Sequence, residues 1–363
     1  STSDTLVTVN KGIISNVYGG GQGNSEYTPY VLGDIKVVVN NGIITNVFGG
    51  NDKSGTPNGN IEVYINGGTI TNTYGGGNET SAKETNVYLT GGTSSKIFGG
   101  SNLSGNVTIS HITTTGGNAE VVYGGNNQGG TTGTTNVLIN GGTIGVVYGG
   151  GEKTSVTEST NVTIKSEITD AFGGSNLEGN IPTSNIIIEN AVTQNVYGGN
   201  NQGGLTQISN VNIYGGSSQN IYGGGLKAET TTTNINAYYG NIENIYGGGS
   251  EAGATTTNVS LGIANIKNIY GGSNLSGTVE NSYIKNLDNQ TLSSIDLSVN
   301  YGTSDQHNEQ DTSYISSQKI TISITNNTGA NINTWDLYLM TSEGFIGANW
   351  SSATIEELGN GYH

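Results

Sequence analysis

The chain of 363 residues carries a formal charge of −16 and no cysteine, and only 10% of its residues are charged against 61 glycines. Disulfide frameworks, thiolate metal sites and cysteine nucleophiles are thereby excluded. All eleven basic residues are lysines, so an acidic chain without guanidinium groups is repelled by nucleic acid and by anionic membranes.

Low hydrophobicity with high net charge is also the signature of disorder, but here Val and Ile recur at fixed positions. An aromatic followed by two glycines stands at Tyr18, Phe48, Tyr74, Phe98, Tyr123, Tyr148, Phe172, Tyr197, Tyr222, Tyr246 and Tyr270, and after a first interval of 30 the spacings are 24 to 26. That period fits one coil of a parallel β-helix, which must supply short strands and their turns. The fold class read from residues 1–285 is therefore all-β, a parallel β-solenoid of about eleven coils.

Each period carries two strand signals. The first is an alternating run such as Thr85-Asn86-Val87-Tyr88-Leu89 or Thr160-Asn161-Val162-Thr163-Ile164. A Gly-Gly pair, as at Gly67-Gly68 and Gly141-Gly142, then marks a bend that no Cβ obstructs, and a second strand such as 69–74 leads to the aromatic. Two asparagine columns are expected to bond from coil to coil. One sits two residues before the aromatic (Asn16, Asn46, Asn72, Asn195, Asn220, Asn244, Asn268), and the other opens the first strand (Asn86, Asn106, Asn136, Asn161, Asn185, Asn210, Asn234, Asn258). The connections repeat at a longer offset: residues 99–105 nearly recur at 173–179 and residues 124–130 at 198–204, an offset of 74 that implies duplication of a three-coil block.

The aromatic column is the most suggestive candidate for chemistry. Val or Ile precedes the ring in most coils, and adjacent strand residues point to opposite faces, so one of the two columns faces outward unless a bend intervenes. Outward rings in register would form a strip on which sugars stack; the other arrangement turns them inward at a corner over the following glycines. A calcium ladder is not expected, because asparagine stands where such solenoids need aspartate. Catalysis is not expected either: the coils are short and even, and His111, placed at the end of a first strand, lacks an acidic companion. An ice-binding face fails because the outward positions hold Thr8, Tyr64, Leu138, Ile187 and Asn212.

Beyond about Lys285 the repeat fades, and residues 286–363 read as alternating strands at 295–299, 319–324 and 335–339, an antiparallel sandwich pattern. Here Ile322-Ser323-Ile324-Thr325-Asn326-Asn327-Thr328-Gly329, then Ile332-Asn333-Thr334-Trp335-Asp336-Leu337 and Asn349-Trp350-Ser351-Ser352-Ala353-Thr354, resemble family 2 carbohydrate-binding modules. The resemblance covers about the last 70 residues and implies a β-sandwich that binds cellulose or related glucans on exposed aromatics. It places Trp335 at the buried tryptophan, and Trp350 and Tyr314 at binding positions. The family's third surface aromatic would fall beyond His363, so the sandwich is expected to be partial. The N-terminal part resembles glycine-rich parallel β-helix surface proteins.

These readings combine into a non-catalytic, extracellular or cell-surface polysaccharide-binding protein or adhesin, with a solenoid stalk and a glucan-binding module carrying Tyr314 and Trp350. Cellulose-like glucan is the expected partner, with no cofactor, no metal, no nucleic acid and no membrane insertion. The alternative is a structural subunit of an extracellular filament or sheath, self-assembled through solenoid ends and strand exchange.

Overall fold

The computed structural model describes residues 4–287 and, further on, the backbone of Ile295–Tyr301, Ile320–Asn326, Leu339–Thr341 and Gly344–Ile346. The chain divides into two units, Ser1–Leu287 and Asp288–His363, against an expected boundary at 285/286.

The first unit is a parallel β-solenoid. Its first strands run from Thr5–Val9, Ile35–Val39 and Ile61–Ile65 to Val279–Asn286, and its second strands from Ile13–Tyr18 to Asn265–Tyr270. In two coils both strands merge, as Thr206–Tyr222 and Thr230–Tyr246. All 21 strands belong to one sheet, and each pairs in parallel with its counterpart in the next coil, residue over like residue: Val37 on Val63, Val63 on Val87, Tyr197 on Tyr222.

Alternation decides what lies inside. In Ile35–Val39 the side chains of Ile35, Val37 and Val39 are buried while Lys36 is exposed. Repeated through the coils, such positions make one continuous aliphatic column from Val9 to Val259. Each Val or Ile withdrawn from water contributes about 1.5–3 kcal/mol, and in a solenoid every one of them rests on the coil above and the coil below. The second glycine of the bend holds a positive φ, +87° at Gly68 and +86° at Gly142, a conformation that glycine adopts freely; in other coils Ser166, Ala191 and Ala264 take the place of that glycine without a positive φ.

A polar column runs inside the aliphatic one. Thr85, Ser110, Thr135, Thr160 and Thr233 donate their hydroxyls to the carbonyls of Gly99, Gly124, Gly149, Gly173 and Gly247, at 2.5–2.6 Å. The glycine pair turns these carbonyls away from the ladder, and the hydroxyl satisfies them without water.

Two expectations change. The first strands of the middle coils start three or four residues earlier than the alternation signalled, as in Ala82–Leu89 and Val156–Ile164. His111 therefore lies inside Val107–Thr114, in register with Asn86 and Asn136, and its Nε2 is 3.6 Å from Glu84 Oε1. Asn106 is correspondingly out of the asparagine column and instead accepts the Thr131 backbone N–H at 3.0 Å.

In the second unit Ile295–Tyr301 pairs antiparallel with Ile320–Asn326, and Leu339–Thr341 with Gly344–Ile346. Tyr314, Trp335 and Trp350 lie outside the described residues.

Candidate functional site

The aromatic column is buried, but outside the aliphatic core, under the Gly-Gly connections. Tyr18, Phe48, Tyr74, Phe98, Tyr123, Tyr148, Phe172, Tyr197, Tyr222, Tyr246 and Tyr270 form one uninterrupted stack, with ring centroids 4.5–5.0 Å apart and planes within 3–14° of parallel. From Phe48 to Tyr222 the rings are buried, and they form a second cluster distinct from the aliphatic column. Val47 and Phe48 are consecutive yet both buried: Val47 faces the aliphatic column, as would a β-carbon on Gly49, which meets Ile61 and Val63, while Phe48 between them lies on the opposite face, where the connection covers the ring. Of the two arrangements considered, neither forms as stated: the rings lie on the face opposite the aliphatic column but leave no strip for sugars, because each covers its neighbours' faces and the connections cover the column, and only the terminal Tyr270 is largely exposed.

The connection that covers the rings also holds their hydroxyls. Asn127 donates to the Tyr74 hydroxyl at 3.4 Å, Asn176 to Tyr123 at 3.1 Å and Asn201 to Tyr148 at 3.1 Å, each from two coils further along the chain. Burial pushes the Tyr74 and Tyr148 phenols up to about 12 and raises Tyr123 and Tyr197 as well. Glu152 replaces asparagine in the connection column Asp52, Asn78, Asn102, Asn127. It is paired with Lys96 at 3.1 Å and adds its charge to the effect on Tyr123.

An accessible site lies elsewhere, on the outer face of the last five second strands. There an open groove of about 680 Å³ runs between two columns of side chains. One column is Glu167, Val192, Ser217, Asn241 and Asn265; the other is Thr169, Gln194, Gln219, Glu243 and Lys267. All ten are exposed, while the residues between the columns, Ile168, Thr193, Ser218 and Ile242, are buried, so the floor is backbone already bonded within the sheet. Five strands at about 4.8 Å make a trough roughly 19 Å long.

The groove has a stiff margin. Beside its second column the side chain of Asn195 donates to Asp170 at 2.8 Å, and Asn220, Asn244 and Asn268 each donate to the preceding asparagine at 2.9 Å, as the sequence led us to expect. On the other side, the corner that opens the same coils carries Tyr214, Tyr238 and Tyr239. Tyr214 and Tyr238 stack at 4.7 Å, and Tyr239 is 52% exposed, two residues before Asn241. Charge along the trough is nearly balanced: Lys267 pairs with Glu243 at 3.0 Å, leaving Glu167 as the remaining ion.

Sequence reasoning passed over these residues because their columns change identity from coil to coil, so no repeated letter announces them. Among the described residues, no group of three or more His, Asp or Glu side chains comes together as a metal site. No protein-family model, curated protein or solved structure matches the chain.

Proposed function

We propose that this chain is a non-catalytic, extracellular polysaccharide-binding protein or adhesin, in which the solenoid is a rigid stalk and the C-terminal unit, through Tyr314 and Trp350, contacts a cellulose-like glucan. The observation that supports a glycan ligand is the open trough of amides and hydroxyls with exposed tyrosines at its corner. Amide side chains both donate and accept, which suits sugar hydroxyls, and tyrosine rings offer an apolar face to the C–H groups of a pyranose. The test is adsorption of the full chain to insoluble polysaccharides. Retention on cellulose, weakened by Trp350→Ala, is expected; a chain that stays in the supernatant with every neutral polysaccharide overturns the reading.

A second reading, assembly into an extracellular filament or sheath, is favoured by the direction of the asparagine ladders. Asn46 donates to Asn16 and Asn268 to Asn244, so every rung donates toward the N-terminal end. One end of the ladder thus presents an amide N–H and the other an amide oxygen, which suits open head-to-tail association. Electron microscopy of the purified chain separates the two readings, since fibres support assembly and isolated short rods support the adhesin.

A further inference from the structure

We infer that the trough over the last five coils is a glycan site of the solenoid's own, which takes an uncharged, extended polysaccharide lying parallel to the solenoid axis with about one sugar ring per coil. This rests on the polysaccharide-binding reading and adds to it a location, an orientation and a charge class.

The strand spacing sets the orientation. Like positions repeat every 4.8 Å or so along the axis, close to the rise per residue of a flat, β-linked glycan ribbon. A chain laid along the trough therefore meets an equivalent pair of side chains at each sugar: Val192 and Gln194, Ser217 and Gln219, Asn241 and Glu243. Across the trough it would cross one or two coils and leave the rest unused. The side chains set the class. Gln194 and Gln219 are adjacent, exposed amides able to donate to one hydroxyl and accept from the next. Val192, 53% exposed, and Tyr239 give apolar contact for ring faces.

Other occupants fit less well. An extended peptide binds a sheet by adding to an edge, whereas this is a sheet face with its backbone already paired. Uronate or sulfated chains would meet Glu167 and Glu243, and the one lysine of the trough is already held by Glu243 at 3.0 Å.

The experiment is calorimetric titration of the full chain with β-1,4-linked gluco-oligosaccharides, from the disaccharide to the hexasaccharide, repeated with the Gln194→Ala/Gln219→Ala double variant and with Trp350→Ala. The two glutamines are exposed and outside the core, so the double variant is expected to keep the wild-type circular dichroism. Affinity should rise with length and level off near five sugars, and the double variant should weaken the longer oligosaccharides by about tenfold or more. Galacturonate oligomers should bind at least as much more weakly than the neutral chains. Wild-type affinity in the double variant, combined with loss in Trp350→Ala, overturns the inference and leaves the polysaccharide-binding reading intact. Tighter binding of galacturonate overturns the charge class. A wild-type chain that binds none of these oligosaccharides and no insoluble polysaccharide removes both.

Discussion

At the residue scale, glycine does different work at positions that look alike in the sequence. The first glycine after each aromatic lies against the coil above: a β-carbon on Gly124 would run into the Gly149 carbonyl oxygen and the Thr135 side chain. The second glycine differs by coil: a β-carbon on Gly125 would meet the Gly151 backbone N at 3.1 Å, whereas Gly272, its counterpart at the last coil, has nothing within 4 Å. Gly124→Ala should therefore cost about 2–3 kcal/mol through overpacking, and Gly272→Ala less than about 0.5 kcal/mol. Paired thermal melts check this, and equal melting temperatures would refute the packing account. The glycine pairs are plain in the sequence, but which of them bears on a neighbour depends on whether another coil lies above.

At the element scale, both walls of a coil alternate, but they are covered differently. The first strands follow simple alternation, and the second strand at Thr69–Tyr74 has the bounds its pattern indicated. The aromatic keeps the alternation: Val47 faces the aliphatic column and Phe48 the opposite side, where the connection that follows its glycines covers the ring. A period-two pattern gives the side on which the rings lie but not the connection that folds over them, so their burial was not legible. Their burial has a consequence for pH. The Tyr74 and Tyr148 phenols ionise near 12 in the folded chain, and phenols ionise near 10 when unfolded. Below about pH 10 both states keep the proton and stability is level; between about 10 and 12 only the unfolded state loses it, so stability falls. Urea unfolding midpoints at about pH 9 and pH 11.5 should show this decline. An unchanged midpoint, with all the phenols of the folded chain titrating together near pH 10, would contradict it.

At the scale of the whole first unit, the 74-residue offset acquires a cause. Three residues after the aromatic the coils read Asn51, Gly77, Ser101, then Asn126, Gly151, Ser175, then Asn200 and Gly225, with Ser273 closing the series after an extra glycine at Gly249. The buried Asn126 amide accepts the Ser101 backbone N–H at 2.8 Å and donates to the Gly105 and Gly129 carbonyls; Asn200 does the same for Ser175, Gly179 and Gly203. The space each amide occupies is left by a glycine in the coil below, Gly100 for Asn126 and Gly174 for Asn200. Large, absent and small side chains thus alternate so that neighbouring connections nest. Excision of residues 99–172 joins Phe98 to Gly173 and preserves this order, and the shortened chain should still melt cooperatively with a parallel-sheet circular dichroism signal. Excision of 99–123 alone sets Asn126 above Gly77 without a serine between them, and should lower the melting temperature more, although fewer residues are lost. The duplication was visible as an offset in the sequence, whereas its reason lies in contacts between coils about 25 residues apart.

The nesting of the connections also bears on how such a chain can change length in descent. Loss of a serine coil sets asparagine over glycine, while a set of three slips in without a mismatch and a further glycine coil, as at Gly249, is accommodated, so relatives of different reach should differ mostly by whole triplets. The first unit would then lengthen mostly in steps of roughly 14 Å, the height of three coils.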